Sequence, residues 1–312
     1  MKTAIKLACA FGALVLSSEL ADAETRIGVT MTSFNNPFLT ILMNGMRDQA
    51  AQMKDVSLQM EDANLDVSRQ INQVQNFIAS GVDAIIVNAI DGEMSPTITK
   101  MVHSAGIPLI YVNHPPADLE SLPEKAVFVG SNELDSGTME TQAVCKLMGG
   151  KGKAFVMMGP LENIAARVRT DDIHNVLKSD ACKGITVIDE KVANWSRGEA
   201  VDLMNNWMTS GQTFDAVIAN NDEMAIGAIQ AMKAAGMDMK KVVVAGIDAT
   251  PDGLSAMKAG DLDVTVFQNA SKQGAVSVES AAKLAKGEKV DSKLWVPFEL
   301  VTPENMEKYA RK

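Results

Sequence analysis

The chain has 312 residues and a formal net charge of −10, with 46% apolar and 4% aromatic residues. An acidic protein of this kind is repelled by nucleic acid phosphates and anionic lipid surfaces, which argues against both as partners. The length exceeds what one ordinary hydrophobic core needs and predicts two lobes. Because aromatic residues are few and the chain has 20 methionines, we expect aliphatic cores in which Met fills the gaps.

Residues 1–23 have the pattern of a secretory signal peptide. Two lysines precede an apolar run over residues 7–16, and residues 21–23 (Ala-Asp-Ala) place small side chains where a signal peptidase cuts. The apolar run is too short to span a bilayer. We therefore expect a mature chain that begins at Glu24, is soluble and is exported to the periplasm.

Two cysteines remain in the expected mature chain, Cys145 and Cys182. An exported protein with an even number of cysteines can form a disulfide, although two cysteines can also stay buried and reduced. We favour the disulfide, because each cysteine precedes a strand of the second half of the chain. Those strands, Lys153–Met158 and Ile185–Glu190, are expected to be neighbours.

From Arg26 onward, strand-like and helix-like patterns alternate, which is typical of a parallel sheet covered by helices on both faces. Strands are predicted at 27–29, 56–60, 84–88, 107–113, 127–129, 153–158, 185–190, 216–219, 242–245, 262–267 and 295–300. Helices are predicted at 37–50, 67–80, 96–106, 164–177, 199–210, 223–235, 253–258 and 270–286. We expect two α/β lobes joined by segments that cross between them.

The stretch from Thr32 to Phe38 joins the first strand to the first helix. Asn36 can cap that helix through its side-chain oxygen, and Pro37 suits the first helical position, where no N–H is required. Polar and aromatic side chains at the carboxyl end of a strand are also what an α/β sheet offers to a small ligand. Taken alone, the stretch favours a capped turn with two core aromatics over a ligand site.

Similar side chains follow most of the other predicted strands. At or just beyond the strand ends stand Thr32, Asn88, Asn113, His114, Trp195, Asn221, Asp248 and Gln268. A single Asn at such a position is more often a turn or cap residue than a ligand contact. The recurrence favours a binding crevice, because carboxamides both donate and accept hydrogen bonds and aromatic faces pack on C–H surfaces, as a hydroxyl-rich neutral ligand requires.

Four motifs together resemble the periplasmic sugar-binding proteins of ribose type. They are Thr-Ser-Phe-Asn-Asn-Pro-Phe (32–38), Ala-Ala-Arg-Val-Arg (165–169), Asn-Asn-Asp-Glu-Met-Ala-Ile-Gly-Ala (220–228) and Gly-Ile-Asp-Ala-Thr-Pro-Asp-Gly (246–253). The resemblance implies two Rossmann-like lobes joined by three crossing segments, the type I periplasmic binding protein fold. It implies a first lobe of 24–131 plus 269–297 and a second lobe of 132–268 plus 298–312.

The resemblance also implies a ligand site in the cleft between the lobes. The implied set is Thr32, Asn36, Phe38, Asn88, Asn113, His114, Arg169, Trp195, Asn221, Asp248 and Gln268. Arg167 and Arg169 cannot face the same way on a helix, and the family motif uses the second of them. Phe38 and Trp195 would sandwich the ring of the ligand, while Arg169 would give a forked pair of hydrogen bonds to adjacent hydroxyls.

The chain departs from the ribose pattern at Asn113-His114, where that pattern has Asp-Arg, and at Leu39, Trp195 and Ile247, where it has Phe. The shorter side chains leave a different arrangement of donors and acceptors and more room. In this respect the chain resembles inositol- and rhizopine-type binding proteins. We therefore expect a cyclitol such as an inositol or its amino derivative, with ribose or another monosaccharide as the alternative.

Two other classes of protein are weighed against a binding protein. An enzyme needs a nucleophile, a poised base or a metal site, yet the three histidines lie far apart in sequence and no Gly-x-Ser-x-Gly is present. A sugar-responsive repressor would begin with a helix-turn-helix in place of the signal peptide. We therefore expect no catalysis, no cofactor and no metal. The expected partners are the small ligand and the membrane permease of an ABC importer, with the protein a monomer and a chemoreceptor left open as a further partner.

Overall fold

The computed structural model describes residues 24–310. The predicted signal peptide, residues 1–23, lies outside the described residues. Within residues 24–310, none of the helices combines the length and the apolar character that crossing a bilayer requires.

Strands and helices alternate along the described chain. The strands are β1 Thr25–Met31, β2 Val56–Asp62, β3 Ala84–Val87, β4 Leu109–Val112, β5 Ala126–Gly130, β6 Lys151–Met158, β7 Gly184–Val192, β8 Ala216–Ala219, β9 Val243–Ala245, β10 Thr265–Phe267, β11 Lys293–Trp295 and β12 Glu299–Val301. The helices are α1 Pro37–Gln52, α2 Val67–Ser80, α3 Ser95–Ser104, α4 Glu133–Leu147, α5 Ile164–Leu177, α6 Arg197–Thr209, α7 Asp222–Ala234, α8 Pro251–Ala259 and α9 Ala270–Ala285.

These elements form two parallel sheets, which confirms the predicted α/β fold with two lobes. The first lobe is built on a six-stranded sheet in the order β11-β5-β4-β3-β1-β2. The second is built on a four-stranded sheet in the order β7-β6-β8-β9, which β10 extends through parallel bridges from Ala245 to Val264 and from Asp248 to Phe267. Strands β3, β4, β5 and β8 inside the two sheets are buried along their whole length, as strands covered by helices on both faces must be.

Each lobe has its own apolar core. In the first lobe, α1 and α9 pack so closely that a Cβ on Gly45 would lie 2.2 Å from the Ser271 carbonyl oxygen. In the second lobe, the Phe155 ring stacks on the Trp207 ring at a centroid distance of 4.2 Å. Met204, Met224 and Met232 are fully buried there, in agreement with the expected aliphatic core filled by Met.

The chain crosses between the lobes after β5, before α9 and after β11. The single strand predicted at 295–300 is wrong at this third crossing. β11 joins the first sheet beside β5, whereas β12 pairs antiparallel with β10 in the second lobe. The intervening Val296 and Phe298 are buried, so a crossing segment has the same apolar pattern as one continuous strand.

Helix α4 is an element that the sequence pattern does not indicate. Its buried face contains Glu133, Ser136, Gly137, Glu140 and Thr141 beside only two apolar residues in its last turns. Hydrophobic periodicity does not identify such a helix in the sequence, because most of its buried positions are polar or small. Elsewhere the predicted bounds agree with the observed ones to within three residues.

Cys145 on α4 and Cys182 before β7 are joined in a disulfide, with their Cα atoms 5.6 Å apart. The two side chains lie at the apolar base of the second lobe, among Val144, Val176 and Leu177. The disulfide that the sequence favoured is therefore present in the structure, where it ties α4 to the segment that leads into β7.

Candidate functional site

The carboxyl ends of the two sheets face a shared cavity of about 380 Å³. Ten of the eleven residues predicted from the sequence line it: Thr32, Asn36, Phe38, Asn113, His114, Arg169, Trp195, Asn221, Asp248 and Gln268. The volume falls within the range of small-ligand pockets, and the position is the one that open α/β sheets offer to ligands. Contact of these side chains with a ligand stays a prediction.

Asn88 does not line the cavity, contrary to the expectation from the sequence. Its side chain is completely buried. The Asn88 Oδ1 accepts from the Thr32 hydroxyl at 2.8 Å, and its Nδ2 donates to the Val112 carbonyl at 3.1 Å. These bonds occupy the carboxamide behind the cavity wall, so Asn88 positions Thr32.

His114 presents an acceptor to the cavity. Its Nδ1 lies 2.8 Å from the carbonyl oxygen of Ala89. Because a carbonyl oxygen only accepts, Nδ1 carries the proton and Nε2 is left as an acceptor. Burial lowers the pKa of the imidazole to about 4, and the nearby Arg169 acts in the same direction although the Ala89 bond opposes it. The ring is therefore neutral at physiological pH.

Asn113 stands beside His114 with its backbone in the left-handed region, at φ 66°. Asn tolerates that conformation better than most residues. Its Nδ2 donates to Gln273 on α9 at 3.2 Å, and Gln273 donates in turn to the Ser131 hydroxyl at 3.0 Å. The donor side of the carboxamide is thus held by the first lobe, which leaves the Asn113 Oδ1 as an acceptor.

Arg169 lies on α5, is only 4% exposed and is held by several acceptors. Its Nε donates to Glu133 at 2.7 Å, its Nη1 to the Asn220 carbonyl at 2.7 Å, and its Nη2 to Glu133 and Gln268 at 3.4 Å. The forked face that was expected to bind ligand hydroxyls is directed at Glu133. An N–H of Nη1 that no hydrogen bond in the structure uses is the donor left for a ligand.

Glu133 and Glu140, both on α4, are buried acids near Arg169 that the sequence did not reveal. Glu133 is buried and pairs with Arg169, as described above. Both carboxylate oxygens of the completely buried Glu140 are without a hydrogen-bond partner. Burial raises the pKa of Glu140 well above its usual range, against the opposing effect of Arg169. Burial thus favours the neutral form of Glu140, and Glu133 is the carboxylate that pairs with the arginine.

Two aspartates complete the acidic side of the site. Asp222 accepts from the Thr265 hydroxyl at 2.7 Å and from the Thr250 N–H at 2.8 Å, and burial raises its pKa to about 7. Asp248 lines the cavity with its backbone at φ 126°. Its pKa is raised well above the usual range by burial, and repulsion from Asp222 and Glu133 adds to this while Arg169 opposes it.

A second charged pair lines the cavity and was also missed. Arg197, at the start of α6, donates to both oxygens of Glu223 at 2.9 and 2.8 Å and to Asp252 at 2.7 Å. Glu223 belongs to the Asn-Asn-Asp-Glu motif at residues 220–223. The arginine had no sequence signal, because the fold alone brings the start of α6 beside the start of α7.

Two of the lining carboxamides also cap helices. Asn36 Oδ1 accepts from the Leu39 N–H at 3.2 Å, and Asn221 Oδ1 accepts from the Met224 N–H at 3.0 Å. The helix cap predicted in the Thr32–Phe38 stretch is therefore confirmed, and the same Asn36 side chain lines the cavity, while its contact with a ligand stays a prediction. The Nδ2 group of each carboxamide is the part left to donate to a ligand.

Two lining side chains have buried donors without a partner in the structure, Nε1 of Trp195 and Nε2 of Gln268. The guanidinium carbon of Arg169 lies 5.5 Å from the centroid of the Trp195 ring. Buried donors of this kind are normally satisfied. They therefore suit a ligand with several acceptor oxygens.

Among the described residues, no cluster of three or more His, Cys, Asp or Glu side chains could hold a metal ion.

Comparison with known proteins places these observations in a family. Residues 27–289 match the model of the periplasmic binding protein domain. A Rhizobium meliloti protein provisionally named as rhizopine-binding is 55% identical over 98% of this chain and 99% of its own length. The ribose import binding protein of Escherichia coli is 29% identical over 96% of this chain and 99% of its own length.

A solved structure gives the same answer for the fold. An ABC transporter solute-binding protein from Bacillus halodurans with bound myo-inositol is 42% identical, with a TM-score of 0.87 over 93% of this chain and 98% of that one. The two-lobed α/β architecture is thus the type I fold expected from the sequence. This chain belongs to the periplasmic binding protein family, the solute-binding components of ABC importers.

Proposed function

We propose that this protein binds a six-membered cyclitol in the cavity between its lobes and delivers it to the membrane permease of an ABC importer. The observation that carries the proposal is the mixture of unused donors and acceptors in one cavity. His114 Nε2 and Asn113 Oδ1 accept, whereas Trp195 Nε1 and Gln268 Nε2 donate. Ring hydroxyls both donate and accept, so a polyol satisfies all of these groups at once.

The choice of a cyclitol over a pentose rests on Asn113 and His114. A neutral imidazole is shorter than a guanidinium and offers an acceptor where the ribose pattern offers donors. The 42% identity to a structure that holds myo-inositol, against 29% to a ribose import protein, supports the same choice. Ribose or another monosaccharide is the alternative ligand.

An amino derivative of a cyclitol is a second candidate, favoured by the acidic side of the site. Asp248 lines the cavity and forms no ion pair with any described residue, while Asp222 and Glu133 lie near enough to raise its pKa. A protonated amine beside Asp248 would relieve that repulsion. The relative named for rhizopine is consistent with such a ligand.

Native mass spectrometry of the protein as purified tests the proposal directly, because a retained ligand gives its own mass. A thermal-shift panel of myo-inositol, an aminocyclitol, ribose and xylitol at equal concentrations then ranks the candidates. We expect the cyclitols to raise the melting temperature more than ribose. A larger shift with ribose would contradict the cyclitol assignment, and the absence of any shift would contradict polyol binding.

The proposal has further parts that separate measurements check. The protein acts as a periplasmic binder and not as an enzyme, so NMR spectra of myo-inositol should be unchanged after long incubation with it. The lobe boundaries implied by the resemblance, 24–131 plus 269–297 and 132–268 plus 298–312, remain part of the proposal. A monomer is expected and light scattering measures it. A chemoreceptor as a further partner stays open.

A further inference from the structure

The loops that lead into α2 and α6 have the same backbone in the two lobes. Ala63-Asn64-Leu65-Asp66 follows β2, and Ala193-Asn194-Trp195-Ser196 follows β7. The two central residues of each loop are left-handed, with φ of 51° and 59° in the first and 50° and 59° in the second. Leu65 therefore occupies the position in the first lobe that Trp195 occupies in the second.

The hydrogen bonds around the two loops repeat as well. The Ala63 N–H donates to the Met31 carbonyl at 2.9 Å and the Ala193 N–H to the Met158 carbonyl at 2.8 Å, each at the end of a central strand. Asp66 then caps α2 and Ser196 caps α6 through their side-chain oxygens. This agreement makes the equivalence of Leu65 and Trp195 a property of the fold.

Both side chains line the same cavity from opposite lobes. Trp195 is partly buried and packs against Gly159, where a Cβ would lie 2.3 Å from the indole ring. Leu65 is 68% exposed. A left-handed backbone is unfavourable for leucine. Burial of the Leu65 side chain within the protein contributes little to offset that cost, and such strain tends to occur at functional sites.

The other strongly exposed leucines of the described chain differ in this respect. Leu134, Leu147 and Leu161 are 60%, 55% and 54% exposed, but none has a positive φ and none lines the cavity. Leu65 alone among these four combines exposure, a strained backbone and a place at the cavity. That combination separates it from an ordinary surface leucine.

We infer that Leu65 is a ligand-contact residue, the first-lobe counterpart of Trp195, and that it covers an apolar C–H face of the ligand ring. The inference rests on the proposed function and adds a residue outside the set implied by the family motifs. Contact with a ligand removes the exposed Leu65 side chain from water, which is favourable in proportion to the apolar area covered. Leu65 thereby selects ligands that present C–H groups on that side of the ring.

The substitution Leu65→Asn tests the inference, because asparagine tolerates a left-handed backbone better than leucine. A purely structural role predicts an equal or higher melting temperature of the ligand-free protein and unchanged affinity. Ligand contact also predicts an equal or higher melting temperature of the ligand-free protein. In addition, it predicts that the affinity for myo-inositol measured by calorimetry falls by about 5- to 20-fold. Leu65→Phe should restore most of the affinity, since it returns an apolar surface to the same position.

The matched control is Leu161→Asn, which changes an exposed leucine outside the cavity and should bind myo-inositol as the wild type does. Equal affinity of Leu65→Asn and wild type would overturn the inference while leaving the proposed function intact. Equal losses in Leu65→Asn and Leu161→Asn would also overturn it, because the effect would not depend on the cavity. Failure of the wild type to bind myo-inositol would remove the cyclitol proposal and this inference with it.

Discussion

The two walls of the cavity differ in their chemistry although similar strand ends build them. The wall from the first lobe is uncharged, with Thr32, Asn36, Asn113 and the neutral His114. The wall from the second lobe carries Arg169, Arg197, Glu223 and Asp248, supported by the buried acids Glu133, Glu140 and Asp222. The first wall is suited to matching hydroxyl groups one by one, and the second wall to fixing the ligand through strong, charge-assisted hydrogen bonds.

The difference extends below the walls. Buried charges are stable only when they are paired and hydrogen-bonded, so the second lobe has to hold its ionisable groups in a rigid arrangement. It does so through the Arg169–Glu133 pair, the hydroxyls around Asp222 and the disulfide under α4. The first lobe buries carboxamides in their place, such as Asn88, Gln70 and Gln73, which carry no net charge.

Substitution of Arg169 by alanine should disturb the second wall of the cavity more than any other single change. It removes a donor from the cavity and leaves Glu133 buried without its partner. Unpairing a buried ion pair costs roughly 3 to 5 kcal/mol of unfolding free energy, and we expect the affinity for myo-inositol to fall more than about 100-fold. Denaturant unfolding and calorimetry measure the two effects.

Arg167→Ala is the control for that variant. Arg167 is partly exposed and pairs with the exposed Glu93, and neither residue lines the cavity. It should change the affinity by less than about threefold, as is usual for an exposed ion pair. A large loss of affinity in Arg167→Ala, together with wild-type affinity in Arg169→Ala, would show that Arg167 contacts the ligand and that Arg169 does not.

The disulfide is a further difference between the two lobes, since among the described residues only the second lobe has one. Replacing both cysteines by serine removes the cross-link between residues 37 positions apart. In the chain-entropy model this lowers the free energy of unfolding by about 4 kcal/mol. The affinity should change little, because neither cysteine lines the cavity. Two free thiols in unreduced, denatured wild-type protein would show that the bond does not form in solution.

The two walls should respond to pH in opposite directions. Asp222 has a pKa raised to about 7 in the folded protein. Its contribution to stability is therefore complete below the unfolded pKa of about 4 and is lost as pH rises through 7. The pKa of His114 is lowered to about 4, so its contribution is present above about 6.5 and is lost as pH falls toward 4.

Asp222→Asn isolates the second wall, because asparagine keeps an acceptor for the Thr250 N–H but does not titrate. From pH 8 to pH 5 the wild type should gain about 1 to 3 kcal/mol of unfolding free energy relative to this variant. Urea unfolding at each pH gives the difference, in which the His114 contribution cancels. A difference that does not change with pH would mean that Asp222 titrates normally.

The smallest effect concerns a link between the lobes themselves. Glu93, in the loop after β3, pairs with Arg167 on α5 at 2.7 Å, and the neighbouring Gly92 N–H donates to the Glu162 carbonyl at 3.1 Å. Glu93→Gln should weaken ligand binding by about two- to threefold at low salt and not at all at high salt. Glu120→Gln is the control, since the Glu120–Lys293 pair lies within the first lobe. If both variants weakened ligand binding equally, the loss in Glu93→Gln would not come from an ion pair that joins the two lobes.

Much of the fold follows from local signals in the chain. Asn36, Asp66 and Ser196 cap helices where polar residues precede amphipathic runs, and Gly81 ends α2 in the left-handed conformation. The exceptions are α4 and the split between β11 and β12. Local patterns fail there because α4 buries polar side chains and because a buried crossing segment is as apolar as a strand.

The sequence by itself determined the alternation of strands and helices, the polar residues at the strand ends and the family motifs, since these depend on near neighbours. Only the tertiary structure decided how those residues divide their hydrogen bonds. It assigned Asn88 to Thr32, directed the fork of Arg169 at Glu133 and placed Leu65 opposite Trp195. Such pairings join residues far apart in the chain, and their geometry exists only after the two lobes have packed.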